Sequence, residues 1–252
     1  INDFDKHLSD AIKIGDCANL ILSNKRFSEV LICGLGGSGI GGTIVSDITS
    51  ATSSVPIITS KGYSVPNFVN KNTLVIACSY SGNTEETISS LQKCYEKKAE
   101  IAIITSGGVL KEFAKSNRLN KIILPSGNPP RAMIGYSLTG LFYILSHYNI
   151  INSSFRTNLQ SAITIIKDEK SHIKNQAKKI AKKLYNSTPV IYVADGFEGV
   201  AVRFRQQINE NSKMLCWHHV IPEMNHNELL GWRINTKNLS VIYFRNNLDH
   251  DR

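Results

Sequence analysis

The sequence predicts an α/β protein built on mainly parallel sheets, and three observations carry the prediction. Short apolar runs at residues 30–33, 55–59, 74–78, 101–105 and 121–124 alternate with segments of helical periodicity. Two of those runs, 30–33 and 74–78, pass directly into turns rich in glycine and hydroxyls. After a long helical stretch near 155–184, a second strand, glycine turn and helix begin at 189–194, 195–196 and 198–208. Apolar strands separated by helices read as a parallel sheet covered on both faces. The expected organisation is two domains, 1–152 and 153–252, the second apparently incomplete at its C terminus.

In chain order, a lead-in helix is predicted near 4–22, followed by the strand at 30–33 and the run Gly34-Leu35-Gly36-Gly37-Ser38-Gly39-Ile40-Gly41-Gly42. Residues without side chains let a backbone approach a ligand closely, and Ser38 adds a hydroxyl where the next helix, 40–48, begins. Gly34, Gly36 and Gly39 match G-x-G-x-x-G. The strand at 55–59, however, runs into Ser60-Lys61-Gly62 with no acid to hold a ribose, which argues against a dinucleotide site. There is no G-K-[ST] ending either.

The strand at 74–78 leads into Ser79-Tyr80-Ser81-Gly82-Asn83-Thr84-Glu85-Glu86, and a helix follows at 85–97. That loop lies at a strand's carboxyl end and a helix's amino end, where backbone N–H groups are unpaired and the dipole favours an anion. Ser79, Ser81 and Thr84 add three hydroxyls, and the loop holds no lysine or arginine, so a phosphate monoester fits it. An ordinary N-cap is the plainer alternative. A second such loop after residue 33 favours one phosphate held between the two. Helices at 109–116 and 133–148 complete the first half, and strands at 213–216 and 239–244 complete the second.

Composition excludes several classes. With 252 residues, 42% hydrophobic and 19% charged, the chain can bury a substantial core. No apolar run approaches the ~18 residues of a membrane span, so no membrane is expected as partner. Five cysteines without a C-x-x-C pair point to a reducing compartment, the cytoplasm. A formal charge of +9 raises nucleic acid as a partner. Much of that charge lies in 167–183, where lysines alternate with Ile173, Ala177 and Ile180 as on a solvated helix face. No nucleic-acid module accompanies it, so no nucleic acid is expected.

Three segments concentrate chemistry. Arg131, in Asn128-Pro129-Pro130-Arg131-Ala132, sits at a helix's first turn, where its charge opposes the dipole; a bound anion would account for it, as would simple exposure. Glu210, in Asn209-Glu210-Asn211, sits at a helix's negative end, which raises proton affinity and suits a general base; the alternative is a solvated glutamate. The stretch Cys216-Trp217-His218-His219-Val220-Ile221-Pro222-Glu223-Met224-Asn225-His226-Asn227-Glu228 invites zinc, but its spacing fits neither H-E-x-x-H nor C-x₂-C. No metal is therefore expected. A proton-carrying histidine is the better reading, with His226 in a loop between two asparagines the best candidate. His218 and His219 read as packed.

Together these segments resemble the bifunctional phosphoglucose/phosphomannose isomerases of the sugar-isomerase (SIS) superfamily. The resemblance rests on Gly34–Gly39, Ser79–Glu86, Pro130–Ala132, Asn209–Asn211 and Pro222–Glu228. It implies two SIS-type three-layer αβα subdomains and the interconversion of glucose 6-phosphate, and of mannose 6-phosphate, with fructose 6-phosphate through a cis-enediol. It puts the phosphate on Gly37, Ser38, Ser79, Ser81 and Thr84, and makes Glu210 the base. Arg131 stabilises the enediolate, and His226 assists ring opening from the neighbouring subunit of a homodimer. It implies no cofactor. The family also uses a lysine near its C terminus, which has no counterpart before Arg252. A non-catalytic SIS module binding a sugar phosphate is the rival reading, and a dehydrogenase the third. A pure sensor has no need of Glu210 or His226.

Overall fold

The computed structural model describes residues 2–234, 238–247 and 249, and the chain divides into two compact units, Ile1–Lys167 and Asp168–Arg252. In the first unit the elements run α1 (Phe4–Asp16), β1 (Glu29–Cys33), α2 (Gly36–Thr49), β2 (Ile57–Ser60), β3 (Thr73–Cys78), α3 (Glu85–Glu96), β4 (Glu100–Thr105), α4 (Gly108–Ser116) and β5 (Asn120–Ile123). A 3₁₀ turn (Pro130–Ala132), α5 (Ile134–His147) and α6 (Phe155–Asp168) follow. The five strands are all parallel, in the order β2-β1-β3-β4-β5.

Side chains alternate across this sheet with period two. Ile32, Leu74, Ile76 and Ile104 face a core shared with Leu8 of α1, Val45 of α2, Leu141 of α5 and Phe155 of α6. Leu31, Val75, Ala77 and Ile103 face the other way, onto Leu91 of α3 and Leu110 of α4. Every residue of β3 is buried, which is why that strand reads as an unbroken apolar run. Truncating one of these, such as Ile76, to alanine leaves a cavity that costs about 2–5 kcal/mol.

The second unit runs α7 (Lys170–Leu184), β6 (Thr188–Ala194), α8 (Glu198–Gln207), a π-helical turn (Ile208–Ser212), β7 (Trp217–Ile221), α9 (Glu223–His226), α10 (Glu228–Gly231) and β8 (Leu239–Phe244). Its three strands are parallel in the order β7-β6-β8. Ile191 and Val193 pack with Ala201, Phe204 and Ile208, whereas Val190 and Tyr192 pack with Met224 and Trp232.

Several expectations shift. The lead-in helix ends at Asp16 rather than 22, because the Asn120 side chain ties the Ile21 backbone to the edge strand on both its N–H and its carbonyl (2.6 and 3.0 Å). The helix after β1 begins at Gly36, so the glycine run is its first turn and not a loop. The stretch 155–184 is two helices: α6 buries Phe155, Leu159 and Ile163 in the first unit's core, whereas α7 buries none of its residues. The division of the chain into compact units falls at 167/168. The strand expected at 213–216 lies instead at Trp217–Ile221, and His226 ends the one-turn helix α9 rather than lying in a loop. Among the described residues no helix is long and apolar enough to cross a membrane.

Candidate active site

In the first unit β1 is followed in sequence by β2 on one side, while β3 lies on its other side. The strand order reverses there, and a crevice opens at the carboxyl ends of β1 and β3, the usual ligand position in such sheets. Both hydroxyl-bearing turns lie at this crevice. The glycines of the first serve close packing. A Cβ on Gly39 would lie 2.2 Å from the Gly34 carbonyl oxygen, and one on Gly34 would lie 2.8 Å from the Cys78 carbonyl oxygen. The first turn of α2 is thereby pressed against both strand ends.

Ser38 joins the two turns, its Oγ accepting the Tyr80 N–H at 3.0 Å. Within the second turn, Ser79 is buried and its Oγ meets Thr84 Oγ1 at 2.7 Å and accepts the Gly82 N–H at 3.1 Å. Ser81 is exposed and accepts the Asn83 N–H at 3.2 Å. Gly82 has φ +73°, and a Cβ there would lie 1.8 Å from the Gly107 carbonyl oxygen, so only glycine fits. The turn is further braced by Asn83 Oδ1, which accepts the Val109 N–H at the start of α4. Neither α2 nor α3 is capped by the side chain of its N-cap residue, Leu35 or Thr84. Two helix N-termini with rigidly held hydroxyls thus face the end of one sheet, an arrangement that suits a dianion.

Arg131 joins this group through its backbone. A Cβ on Gly37 would come within 3.1 Å of the Pro130 carbonyl oxygen and 3.7 Å of the Arg131 Cα, so the 3₁₀ turn rests on the first turn of α2. Tyr80, to which pattern reading gave no role, organises the approach. Its hydroxyl donates to the Pro125 carbonyl at 2.8 Å and accepts the Asn128 N–H at 3.2 Å, and its own carbonyl accepts from Ser106 Oγ. Gly37, Ser38, Ser79, Ser81, Thr84 and the Arg131 backbone are therefore gathered at one end of one sheet.

In the second unit Glu210 is exposed on the π-helical turn, which ends at Lys213 in the left-handed conformation (φ 58°). Such turns are rare and concentrate at functional sites. Asn209 Nδ2 donates to the Met214 carbonyl at 2.7 Å and Lys213 Nζ to the Glu210 carbonyl at 2.7 Å, which hold the turn open. Burial pulls the Arg203 guanidinium below its ordinary proton affinity, and the charge of the Glu210 carboxylate opposes that shift in part. His226 is exposed at the end of α9.

The histidines of β7 are indeed packed, but they carry polar contacts that the pattern did not reveal. His218 Nδ1 lies 3.2 Å from Arg205 Nη1 and its Nε2 3.6 Å from Glu198. Burial, and then the Arg205 charge, hold it below the ordinary histidine value. His219 Nδ1 lies 2.8 Å from Glu228 Oε2. Glu228 was legible only as the last residue of a motif. Among the described residues no three metal-ligating side chains converge.

Comparison with known proteins places both halves of the chain among SIS-domain sequences. Residues 29–134 match the SIS domain, and residues 173–252 match the bacterial phospho-glucose isomerase C-terminal SIS domain. The bifunctional phosphoglucose/phosphomannose isomerase of Caldicellulosiruptor bescii is 37% identical over 234 residues, covering 90% of this chain and 69% of that one. The D-glucosamine-6-phosphate 4-epimerase of Sulfolobus acidocaldarius is 33% identical over 206 residues, covering 81% of this chain and 64% of its own. The chain therefore spans roughly two thirds of the length of these relatives. The C-terminal domain of glucosamine-fructose-6-phosphate aminotransferase from Francisella tularensis shares the fold, with a TM-score of 0.77 at 14% identity over 97% of this chain and 74% of that one.

Proposed function

The chain belongs to the bifunctional phosphoglucose/phosphomannose isomerase family, and from that premise we propose that it is an aldose–ketose isomerase interconverting glucose 6-phosphate, and mannose 6-phosphate, with fructose 6-phosphate. The observation that carries the reading is the pair of helix N-termini, uncapped by their N-cap side chains, joined through Ser38 at the reversal point of the sheet. A phosphate there accepts from the N–H groups around Gly37 and from Ser38, Ser81 and Thr84. Ser79, buried between Thr84 and Gly82, serves mainly to hold the turn in shape.

The proton chemistry falls to the other residues. Glu210 takes the proton from C2 of the open-chain aldose as the carbonyl at C1 becomes an enediolate oxygen; the proton of the C2 hydroxyl passes to the C1 oxygen, and Glu210 returns its proton to C1 as the carbonyl re-forms at C2. Arg131 balances the enediolate charge, and His226 assists ring opening. No oxidant or reductant enters, because the electrons lost at C2 are gained at C1. The working form is a homodimer in which His226 serves the neighbouring subunit's site, and the five cysteines, free in the structure, suit a cytoplasmic setting.

The test is Glu210→Gln, which keeps shape and loses the base. Turnover of fructose 6-phosphate should fall ~10²–10⁴-fold while its affinity survives. Wild-type enzyme in heavy water should leave deuterium at C2 of the glucose 6-phosphate formed. Near-normal turnover in the variant removes Glu210 from this role. Incubation with glucosamine 6-phosphate separates isomerisation from 4-epimerisation, the activity for which the Sulfolobus relative is named.

A further inference from the structure

We propose that Glu228 is a positioning residue, which fixes the segment carrying His226 by gathering three donors from two strands onto one carboxylate. Its Oε1 accepts from the Tyr192 hydroxyl of β6 and from Trp217 Nε1 of β7 at 3.3 Å, and its Oε2 accepts from His219 Nδ1 of β7 at 2.8 Å. Trp232 Nε1, just past α10, donates to the same Tyr192 hydroxyl at 2.8 Å, closing the cluster. Tyr192 itself is buried in the core between β6 and Met224 of α9. Glu228 is the first residue of α10, and its N–H is held by Asn227 Oδ1 at 2.5 Å. His226 lies only two residues before it, at the end of α9, where Asn227 Nδ2 reaches back to Glu223 Oε1 at 3.0 Å.

The chemistry explains why a carboxylate stands here. An ionised carboxylate only accepts, so it meets three donors with no donor left facing another. Burial alone pushes the Glu228 carboxyl up, but the bonds from Tyr192, His219 and Trp217 outweigh it and hold the group below the ordinary glutamate value of 4.5. The same carboxylate, after burial, helps drive the Tyr192 phenol up to about 12, so the tyrosine stays a donor throughout the working range. α9 and α10 are single turns with one buried residue between them, Met224, and have little apolar packing of their own. The charged anchor does for this segment what an apolar face does for a longer helix. It acts on chemistry through His226, and in that respect alone the inference rests on the isomerase reading.

The test is made on the full-length enzyme with Glu228→Leu and Glu228→Gln. Leucine removes every acceptor. It should lower kcat for fructose 6-phosphate ~10- to 10²-fold, leave KM within about twofold because the phosphate donors are in the other unit, and shift the ring resonances of His226 in the NMR spectrum. Glutamine keeps an acceptor toward Tyr192 and Trp217, and should recover most of both signals. Tyr192→Phe and Trp217→Phe each remove one donor, and give graded versions of the same change if the leucine variant does not fold. Unchanged His226 resonances, or kcat and KM altered together without recovery by glutamine, would overturn the proposal. A wild-type enzyme without isomerase activity would defeat the functional reading instead, and the His226 resonances would still decide whether Glu228 positions that segment.

Discussion

His218 shows how one half-buried side chain ties stability to pH. Arg205 has only donors to offer, so at 3.2 Å the imidazole must present a lone pair at Nδ1 and carry its proton at Nε2, toward Glu198. Burial and the Arg205 charge lower its proton affinity below the ordinary 6.5, with the Glu198 contact opposing them. The folded state therefore binds this proton less readily than the unfolded chain does. The stabilising contribution is complete above about pH 6.5 and is lost as pH falls through the depressed folded value. Glu228 behaves in the same sense lower down, its contribution present above 4.5 and lost in stronger acid. Urea denaturation between pH 7.5 and 5 should show stability falling with acidification, with a slope of at most about 1.4 kcal/mol per pH unit from this one proton. His218→Asn should flatten that slope. An equal slope in wild type and variant would show that His218 does not titrate with unfolding.

At the scale of elements, the two turns at the ends of β1 and β3 carry the binding prediction. Ser81 is exposed, and Thr84 is partly so with its hydroxyl already oriented by Ser79, so both are poised to donate to a charged oxygen. A lost hydrogen bond to a charged group costs about 1.5–3 kcal/mol, or roughly ten- to a hundredfold in affinity. Titrating Ser81→Ala and Thr84→Ala with fructose 6-phosphate should show weakening of that order, and unchanged affinity in both would remove the phosphate from this turn. These turns were legible in the sequence because strand, glycine and hydroxyl are local signals, and β1, β3 and β4 were legible because each is buried on both faces. What escaped depended on partners distant in sequence. Asn120 stops the lead-in helix from across 99 residues, and the glycine run hides a helical turn because close packing, rather than apolar periodicity, selects it. The strand β7 escaped for the same reason. Met214, Leu215 and Cys216 look like a strand and are not, whereas Trp217, His218 and His219 look like a polar site and form one, made buriable by Glu228 and Arg205.

For the whole molecule, the distribution of chemistry over the chain sets the prediction. The candidate phosphate donors and Arg131 all belong to the unit Ile1–Lys167, whereas Glu210 and His226 both belong to Asp168–Arg252. The proposed homodimer divides the second pair again, with Glu210 serving its own subunit's substrate and His226 the neighbour's. Two inactive proteins then rescue each other in a predictable amount. In a mixed dimer of Glu210→Gln and His226→Ala, one site receives both lesions and the other receives neither. Free exchange of equal amounts makes half of all dimers mixed, and each mixed dimer has one intact site of two, so activity should return to about a quarter of wild type in a twofold-symmetric dimer. The measurement is fructose 6-phosphate turnover after mixing, with exchange verified by mass-tagging one partner. If each subunit instead completes its own site, every site in the mixture carries one lesion and activity stays at the level of the separate variants. Verified exchange without recovery would therefore confine both residues to one subunit's site, and would leave the assignments of Glu210 and His226 to be judged on their single variants.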